Sequence, residues 1–223
     1  MKNIFLTLLL LMVTIPQVQG QSSRIHIGGA FPTGDFNDDD SYNRKSGDAA
    51  FGFNLGYKYY SPLSIPNLSL TFGLDLFYNG IKGDVKDDVE NDNPNYDITF
   101  PKYLNIPLSL GINYMYPIPN SNIGIYGEFG LGPNISIETT QKFEYKNSDY
   151  EQIITYKPSV KLSYNIEGGI EINEKYTIGL KYNQLGTHKY RYTITEKPGN
   201  DKEKGKMNKQ PITILTLVVG IKF

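Results

Sequence analysis

The sequence predicts an all-β protein: an eight-stranded antiparallel up-and-down transmembrane β-barrel with short periplasmic turns and long extracellular loops. Three observations predict it. Apolar and polar residues alternate through eight separate stretches, each of roughly ten residues, the length a tilted strand needs to cross a bilayer. The connections between stretches alternate short and long, as they do in outer-membrane barrels. The composition, with 18 Tyr, 11 Phe and 22 Gly but no Trp and no Cys, favours strands and the bends that curve them.

The stretches follow one another along the chain with the same period. The first covers 24–33, with Ile25, Ile27 and Phe31 on one face. The second, 50–60, puts Phe51, Phe53, Leu55, Tyr57 and Tyr59 opposite Gly52, Asn54, Gly56 and Lys58. The third, 68–78, sets Leu70, Phe72, Leu74 and Leu76 against Thr71, Gly73 and Asp75. In the fourth, 104–114, Leu104, Ile106, Leu108, Leu110 and Ile112 oppose Asn105, Ser109, Gly111 and Asn113. The fifth, 123–131, separates Ile123, Ile125, Phe129 and Leu131 from Gly124, Tyr126, Glu128 and Gly130. The sixth, 160–170, separates Val160, Leu162, Tyr164, Ile166 and Ile170 from Lys161, Ser163, Asn165 and Glu167. The seventh, 176–183, pairs Ile178 and Leu180 with Gly179 and Lys181. The last, 212–223, carries Leu215, Leu217, Val219, Ile221 and Phe223 on one side.

Short links fall at 61–67, 117–122 and 173–175, the first two with the Pro and Asn of turns. Long polar links fall at 34–49, 79–102, 139–158 and 196–210. An even strand count places both termini on the periplasmic side. Period alone also fits a soluble lipocalin-like barrel with its apolar face inward. Tyrosines near strand ends (Tyr57, Tyr59, Tyr78, Tyr114, Tyr116, Tyr176), polar faces of small residues and a terminal aromatic favour lipid outside.

Residues 1–20 read as a signal peptide. Lys2 supplies the positive start, Ile4 to Ile15 is nearly all apolar, and Val18 and Gly20 suit cleavage before Gln21. That run is too short to span a bilayer as a helix. The mature domain is then 21–223. With no Cys, a lipoprotein anchor, a disulfide and a thiolate metal site are excluded. The net charge of −1, from 22 basic and 23 acidic residues, gives no global field for nucleic acid.

By parity the barrel interior should hold Lys58, Asp75, Glu128, Lys161, Glu167 and Lys181, together with Arg24, His26 and Lys222. Charges in so narrow a lumen must pair or find water. Glu167 and Lys181 lie equally far from the turn at Glu174, so they are expected to face each other as a buried ion pair. Their expected role is structural, and no catalytic, cofactor-binding or metal-ligating set is assigned.

The stretch Lys102-Tyr103-Leu104-Asn105-Ile106-Pro107-Leu108-Ser109-Leu110-Gly111 resembles the outer-membrane protein β-barrel domain family, often labelled the porin family. The opening, with Gly28 and Gly29 before Phe31, and the closing strand ending in Phe223 are similar too. The resemblance implies an outer-membrane location and assembly by the barrel-insertion machinery with periplasmic chaperones. The terminal strand departs from the usual insertion signal in having its Gly at Gly220, closer to the end. No catalytic residues come with the family.

The function expected is therefore a non-enzymatic, monomeric integral barrel in contact with outer-membrane lipid and lipopolysaccharide, structural or presenting loops for binding or adhesion. Eight strands leave no room for an aqueous channel. A second reading is a lipid A-modifying enzyme, which needs a nucleophile with a base in reach. Only His26 and His188 could serve, and His188, at the outer end of the seventh stretch, is the better placed. A third is the soluble lipocalin-like binder. Acidic runs at Asp38, Asp39 and Asp40 and at Asp84, Asp87, Asp88, Glu90 and Asp92 could meet divalent ions between lipopolysaccharide phosphates. The Lys-rich fourth loop (Lys197, Lys202, Lys204, Lys206, Lys209) could meet those phosphates directly. Charge runs, however, are usually solvated surface.

Overall fold

Every second residue of each strand must leave water, and a closed sheet buries all the backbone groups that lipid cannot satisfy. The computed structural model describes residues 21–38, 47–199, 201–207 and 209–223; the expected signal peptide, Asp39 and Asp40 lie outside them. Eight long strands close into one barrel: β1 (Ser22–Thr33), β2 (Ala49–Pro62), β3 (Leu68–Ile81), β5 (Tyr103–Pro117), β6 (Ile123–Glu138), β9 (Ser159–Ile172), β10 (Tyr176–His188) and β13 (Gln210–Lys222). Their order around the barrel is β1-β13-β10-β9-β6-β5-β3-β2, every pairing antiparallel. This is the eight-stranded fold expected from the alternation. The first and last strands close it, with Ser23 and Phe223 exchanging backbone hydrogen bonds of 2.7 and 2.8 Å.

The faces are oriented for lipid outside. Ile27, Phe53, Phe72, Leu110, Leu162, Leu180 and Val219 are among many large apolar side chains left exposed. The opposite face of the same strands buries Arg24, His26, Lys58, Asp75, Glu167 and Lys181. This arrangement excludes a lipocalin-like barrel, whose apolar side chains would line a cavity. No described helix is long and apolar enough to cross a membrane, so crossing falls to the strands. Exposed Tyr114, Tyr116 and Tyr176 sit at the ends of β5 and β10 nearest the short turns, where amphipathic rings meet headgroups.

The short turns use left-handed residues: Asn67, Asn120, Asn173 and Glu174 all have positive φ. Asn tolerates that conformation because its side chain can bond locally, whereas Glu bears the ordinary steric cost. Asn173 and Glu174 lie in the three-residue loop 173–175 between the paired Ile172 and Tyr176, where the Lys175 N–H donates to the Ile172 carbonyl at 3.1 Å.

The long polar connections carry secondary structure of their own. They fold into α1 (Gly83–Asp92) and five short strands: β4 (Tyr96–Thr99), β7 (Gln141–Tyr145), β8 (Glu151–Tyr156), β11 (Arg191–Lys197) and β12 (Asp201–Lys206). These strands make a second antiparallel sheet in the order β12-β11-β8-β7-β4. Its register puts Tyr192, Ile194, Tyr156, Ile154, Phe143 and Tyr96 on one face. Their rings meet edge-on, Tyr96 with Tyr145 at 5.2 Å and Tyr156 with Tyr192 at 6.4 Å. Isolated hairpins are marginal in water, but a sheet of three or more strands with one apolar face is stable. The loops therefore order each other, from three separate connections.

Candidate functional site

The lumen is the one place where the fold gathers charged side chains out of water. Its middle layer is an ionic lattice. Arg24 on β1 donates to Glu167 on β9 at 2.7 Å and to the Tyr126 hydroxyl on β6 at 3.1 Å. Tyr126 in turn donates to Glu167 at 2.8 Å. Lys58 on β2 bridges Glu167, at 2.6 Å, and Glu128 through a second, short contact. Beside them Asp75 on β3 takes Lys181 at 2.5 Å, His26 at 2.8 Å and the Asn54 amide at 3.1 Å. Arg24, Lys58 and Lys181 thus face Asp75, Glu128 and Glu167, three cations against three carboxylates. These contacts join β1, β2, β3, β6, β9 and β10, so the lattice ties the wall together across the barrel.

Glycines make the space. A Cβ at Gly56 would stand 2.3 Å from the His26 ring and 2.4 Å from Asp75, and one at Gly179 would stand 2.3 Å from the Tyr126 hydroxyl. Above the lattice the interior is apolar. Ala30, Phe36, Ala49, Phe77, Ile81, Tyr103, Leu185, Ile212 and Ile214 form a buried cluster, with Phe36 folded in by a short 3-10 turn (Gly34–Phe36). Beside that cluster, on β5, β6 and β10 toward the outer mouth, lie buried polar groups: Asn134 bonds Asn105 at 3.1 Å and the Leu185 carbonyl at 3.0 Å, and Ser136 bonds Tyr190 at 2.5 Å.

Of the residues expected inside, Lys58, Asp75, Glu128, Glu167 and Lys181 are buried in this lattice. Lys161 is not; it is exposed. Strand β10 bulges between Gln184 and Thr187, and its ladder with β9 ends at Gln184–Tyr164, so Lys161, though still paired with Asn134 of β6, has no ladder partner on the β10 side. The expected Glu167–Lys181 ion pair is also corrected. The two are register partners, but Arg24 and Lys58 already saturate Glu167, and Lys181 reaches across to Asp75 instead. Lys222 pairs with Glu171 at 3.0 Å near the periplasmic end.

His188 is buried in the outer mouth. Its Nε2 donates to the Leu185 carbonyl at 2.9 Å, and its ring stacks on Tyr190 with centroids 5.9 Å apart. The Ser136 hydroxyl on β6 bonds Tyr190 rather than the imidazole, and all three side chains are fully buried. Sequence reasoning did not single out Asn134, Ser136 and Glu138, which line this mouth. The signal was present, since the alternation of β6 continues past Leu131 with Ile135 and Ile137 opposite them. Among the described residues, no group of three or more His, Asp or Glu side chains could hold a metal ion. Asp84, Asp87, Asp88, Glu90 and Asp92 all lie on α1, whose side chains are not buried.

On the outer sheet, Glu151 accepts from Lys197 at 2.8 Å and Lys142 at 3.0 Å. The hydrogen bond from Lys197, with that from Lys142, holds the Glu151 carboxyl below its ordinary range.

A barrel apolar outside, ionic inside and matched along its length to one family settles the kind of protein. The model of the family described as outer membrane protein beta-barrel domain matches residues 5–223. This chain belongs to that family. It is a transmembrane protein of the outer membrane by that membership. Among solved structures, a major outer membrane protein from Thermus thermophilus is 12% identical, with a TM-score of 0.55 over 92% of this chain and 100% of that one. Neisserial surface protein A is 15% identical, with a TM-score of 0.49 over 92% and 96%. Ail, the attachment invasion locus protein of Yersinia pestis, solved with the heparin analogue sucrose octasulfate, is 15% identical, with a TM-score of 0.47 over 91% and 99%. At these identities the likeness is one of fold. A comparison with curated protein sequences returns no match.

Proposed function

We propose that this protein is a non-enzymatic outer-membrane barrel, exported by a cleaved signal peptide at 1–20, whose task is to hold an ordered outer sheet at the cell surface for binding. The observation that carries this reading is the contrast between the barrel's two compartments. Its interior is filled by a charge-paired lattice under an apolar layer, which suits a scaffold and not a conduit. Its outer connections, by contrast, are organised into a five-stranded sheet with exposed charged side chains. Polar lumen groups act here as structural staples, the commoner role for such networks.

A lipid-modifying activity has little support in the geometry. Catalysis needs a nucleophile, its base and the substrate to meet, whereas His188 and Ser136 are both buried, and Ser136 is engaged with Tyr190.

The test is a paired truncation. Cells expressing the full chain are compared with cells in which residues 191–206 and 141–156 are each replaced by a short Gly-Ser turn, on an array of glycans and matrix proteins. The reading expects the truncated barrel to reach the outer membrane, keep its heat-dependent gel shift and lose array binding. Equal binding by both, or turnover of lipid A by the full chain, would overturn it.

A further inference from the structure

Lys157, Lys161, Lys189, Arg191, Lys206 and Lys209 are all exposed, and all belong to the outer ends of β9, β10 and β13 or to the connections leaving them. Those three strands are contiguous in the wall. No acidic residue occurs in 152–166, in 175–195 or in 204–223. Acidic α1 springs from β3, which stands four strands from β10 in either direction. The outer rim is therefore basic on one side and acidic on the other, although the chain as a whole is nearly neutral.

Three of these cations are aligned by backbone register. Arg191 and Lys206 are direct cross-strand partners at the base of β11 and β12. Lys157, one residue beyond the Tyr156–Tyr192 pair, donates its backbone N–H to the Arg191 carbonyl at 2.9 Å. A row Lys157–Arg191–Lys206 thus crosses three strands, with neighbours about 5 Å apart. Like charges directly opposite one another on a sheet repel, and among the described residues none of the three is in an ion pair. Glu138, on the neighbouring strand β6, is buried inside the mouth. Lys197, higher on the same sheet, is by contrast paired with Glu151. The row is stable in register because the backbone fixes it, and it is complete electrostatically only with an anion.

Its height identifies which anion. Val160 and Leu162 on β9 are 58% and 68% exposed and belong to the lipid-facing belt. Lys157 lies three residues above Val160, about 10 Å along an extended strand. That places the row at headgroup level, immediately above the hydrocarbon. The distal end of the hairpin is different in kind, since Asp201 and Glu203 there alternate with Lys202 and Lys204. The unrelieved positive charge is at the root of the sheet, against the membrane. From this we infer that the rim above β9, β10 and β13 is a docking surface for the phosphate groups of lipopolysaccharide in the surrounding outer leaflet. Arg191 supplies a planar donor fork suited to phosphate oxygens, and the lysines supply mobile point charges on either side. The inference deepens the proposed binding role and rests on it, assigning the root of the outer sheet to the cell's own lipid and leaving its distal part to other partners.

The experiment uses the full mature chain, refolded into nanodiscs of phosphatidylcholine containing a minor fraction of either phosphorylated lipid A or phosphatase-treated lipid A. Lipid A retained on the protein after detergent extraction is quantified by mass spectrometry. The phosphorylated form should be retained about tenfold or more over the treated form, the preference falling with added salt. The triple variant Lys157→Gln, Arg191→Gln, Lys206→Gln should lose the preference while keeping the heat-dependent gel shift. The pair Lys157→Arg, Lys206→Arg should retain it. Equal retention of the two lipids by the unaltered chain would overturn the inference, whether or not any variant folds. So would an unchanged preference in the triple Gln variant, or selective binding of a soluble sulfated glycan with indifference to lipid phosphate. Either result would leave the array binding of the outer hairpins as a separate question.

Discussion

Glu167 shows at the level of one side chain why the lumen tolerates its charges. It accepts from Arg24, Tyr126 and Lys58 in a fully buried setting. Removing one partner from such a set leaves the others uncompensated, which costs far more than the set's net worth. Glu167→Ala should therefore destabilise the barrel by about 3–5 kcal/mol, read as a lower urea midpoint for the refolded protein in detergent micelles. Lys222, whose partner Glu171 lies at the more open periplasmic end, should cost about 1 kcal/mol or less on replacement by Gln. At the hairpin Asn173-Glu174, the left-handed Glu174 is a local steric cost that a glycine avoids. Glu174→Gly should raise stability by about 1 kcal/mol, measured in the same urea titration. A fall instead would mean that the Glu174 side chain has a role its exposed position does not show.

Elements differ in how plainly the sequence announces them. The barrel strands were legible because period-two alternation sustained over a whole membrane crossing marks a strand with two unlike faces, and the parity of Lys58, Asp75 and Glu167 came with it. The partner choice was not legible. Parity says that Lys181 and Glu167 are neighbours, but only the closed geometry shows that Asp75, from across the lumen, is the partner Lys181 takes. The outer sheet was hidden for a different reason. Each of its strands is only four to seven residues long, and each is stable only beside strands from other connections. Ile153, Ile154, Tyr156, Tyr192 and Ile194 were its one local trace. Glu151 ties three of those strands through Lys142 and Lys197. Its carboxyl is held below the ordinary range, so this contribution is fully present above the unfolded value and is lost as pH falls through the folded one. Protease cleavage of the β7–β8 and β11–β12 hairpins should accordingly rise as pH drops below about 4, with the barrel core still resistant. Glu151→Gln should remove that dependence.

At the scale of the whole molecule, one chain produces two environments in sequence along the barrel axis: an ionic layer, then an apolar cluster with buried polar groups beside it toward the outer mouth. The ionic layer staples the wall, the apolar layer seals the lumen above it, and the mouth anchors an exposed sheet. Outside, the lipid-facing belt ends where a basic rim begins on one side only. This organisation separates the supporting barrel from the exposed sheet to which we assign binding. The claim that most depends on both layers is that the lumen is closed. Its most direct measurement is the conductance of the refolded full-length mature chain inserted in planar lipid bilayers. A baseline indistinguishable from the protein-free membrane is expected, at every holding potential at which the bilayer is stable. A steady, ohmic single-channel current that scales with salt concentration would contradict the account, because it would require a water path through the Arg24–Glu167–Lys58 lattice and the apolar layer around Phe36 and Phe77.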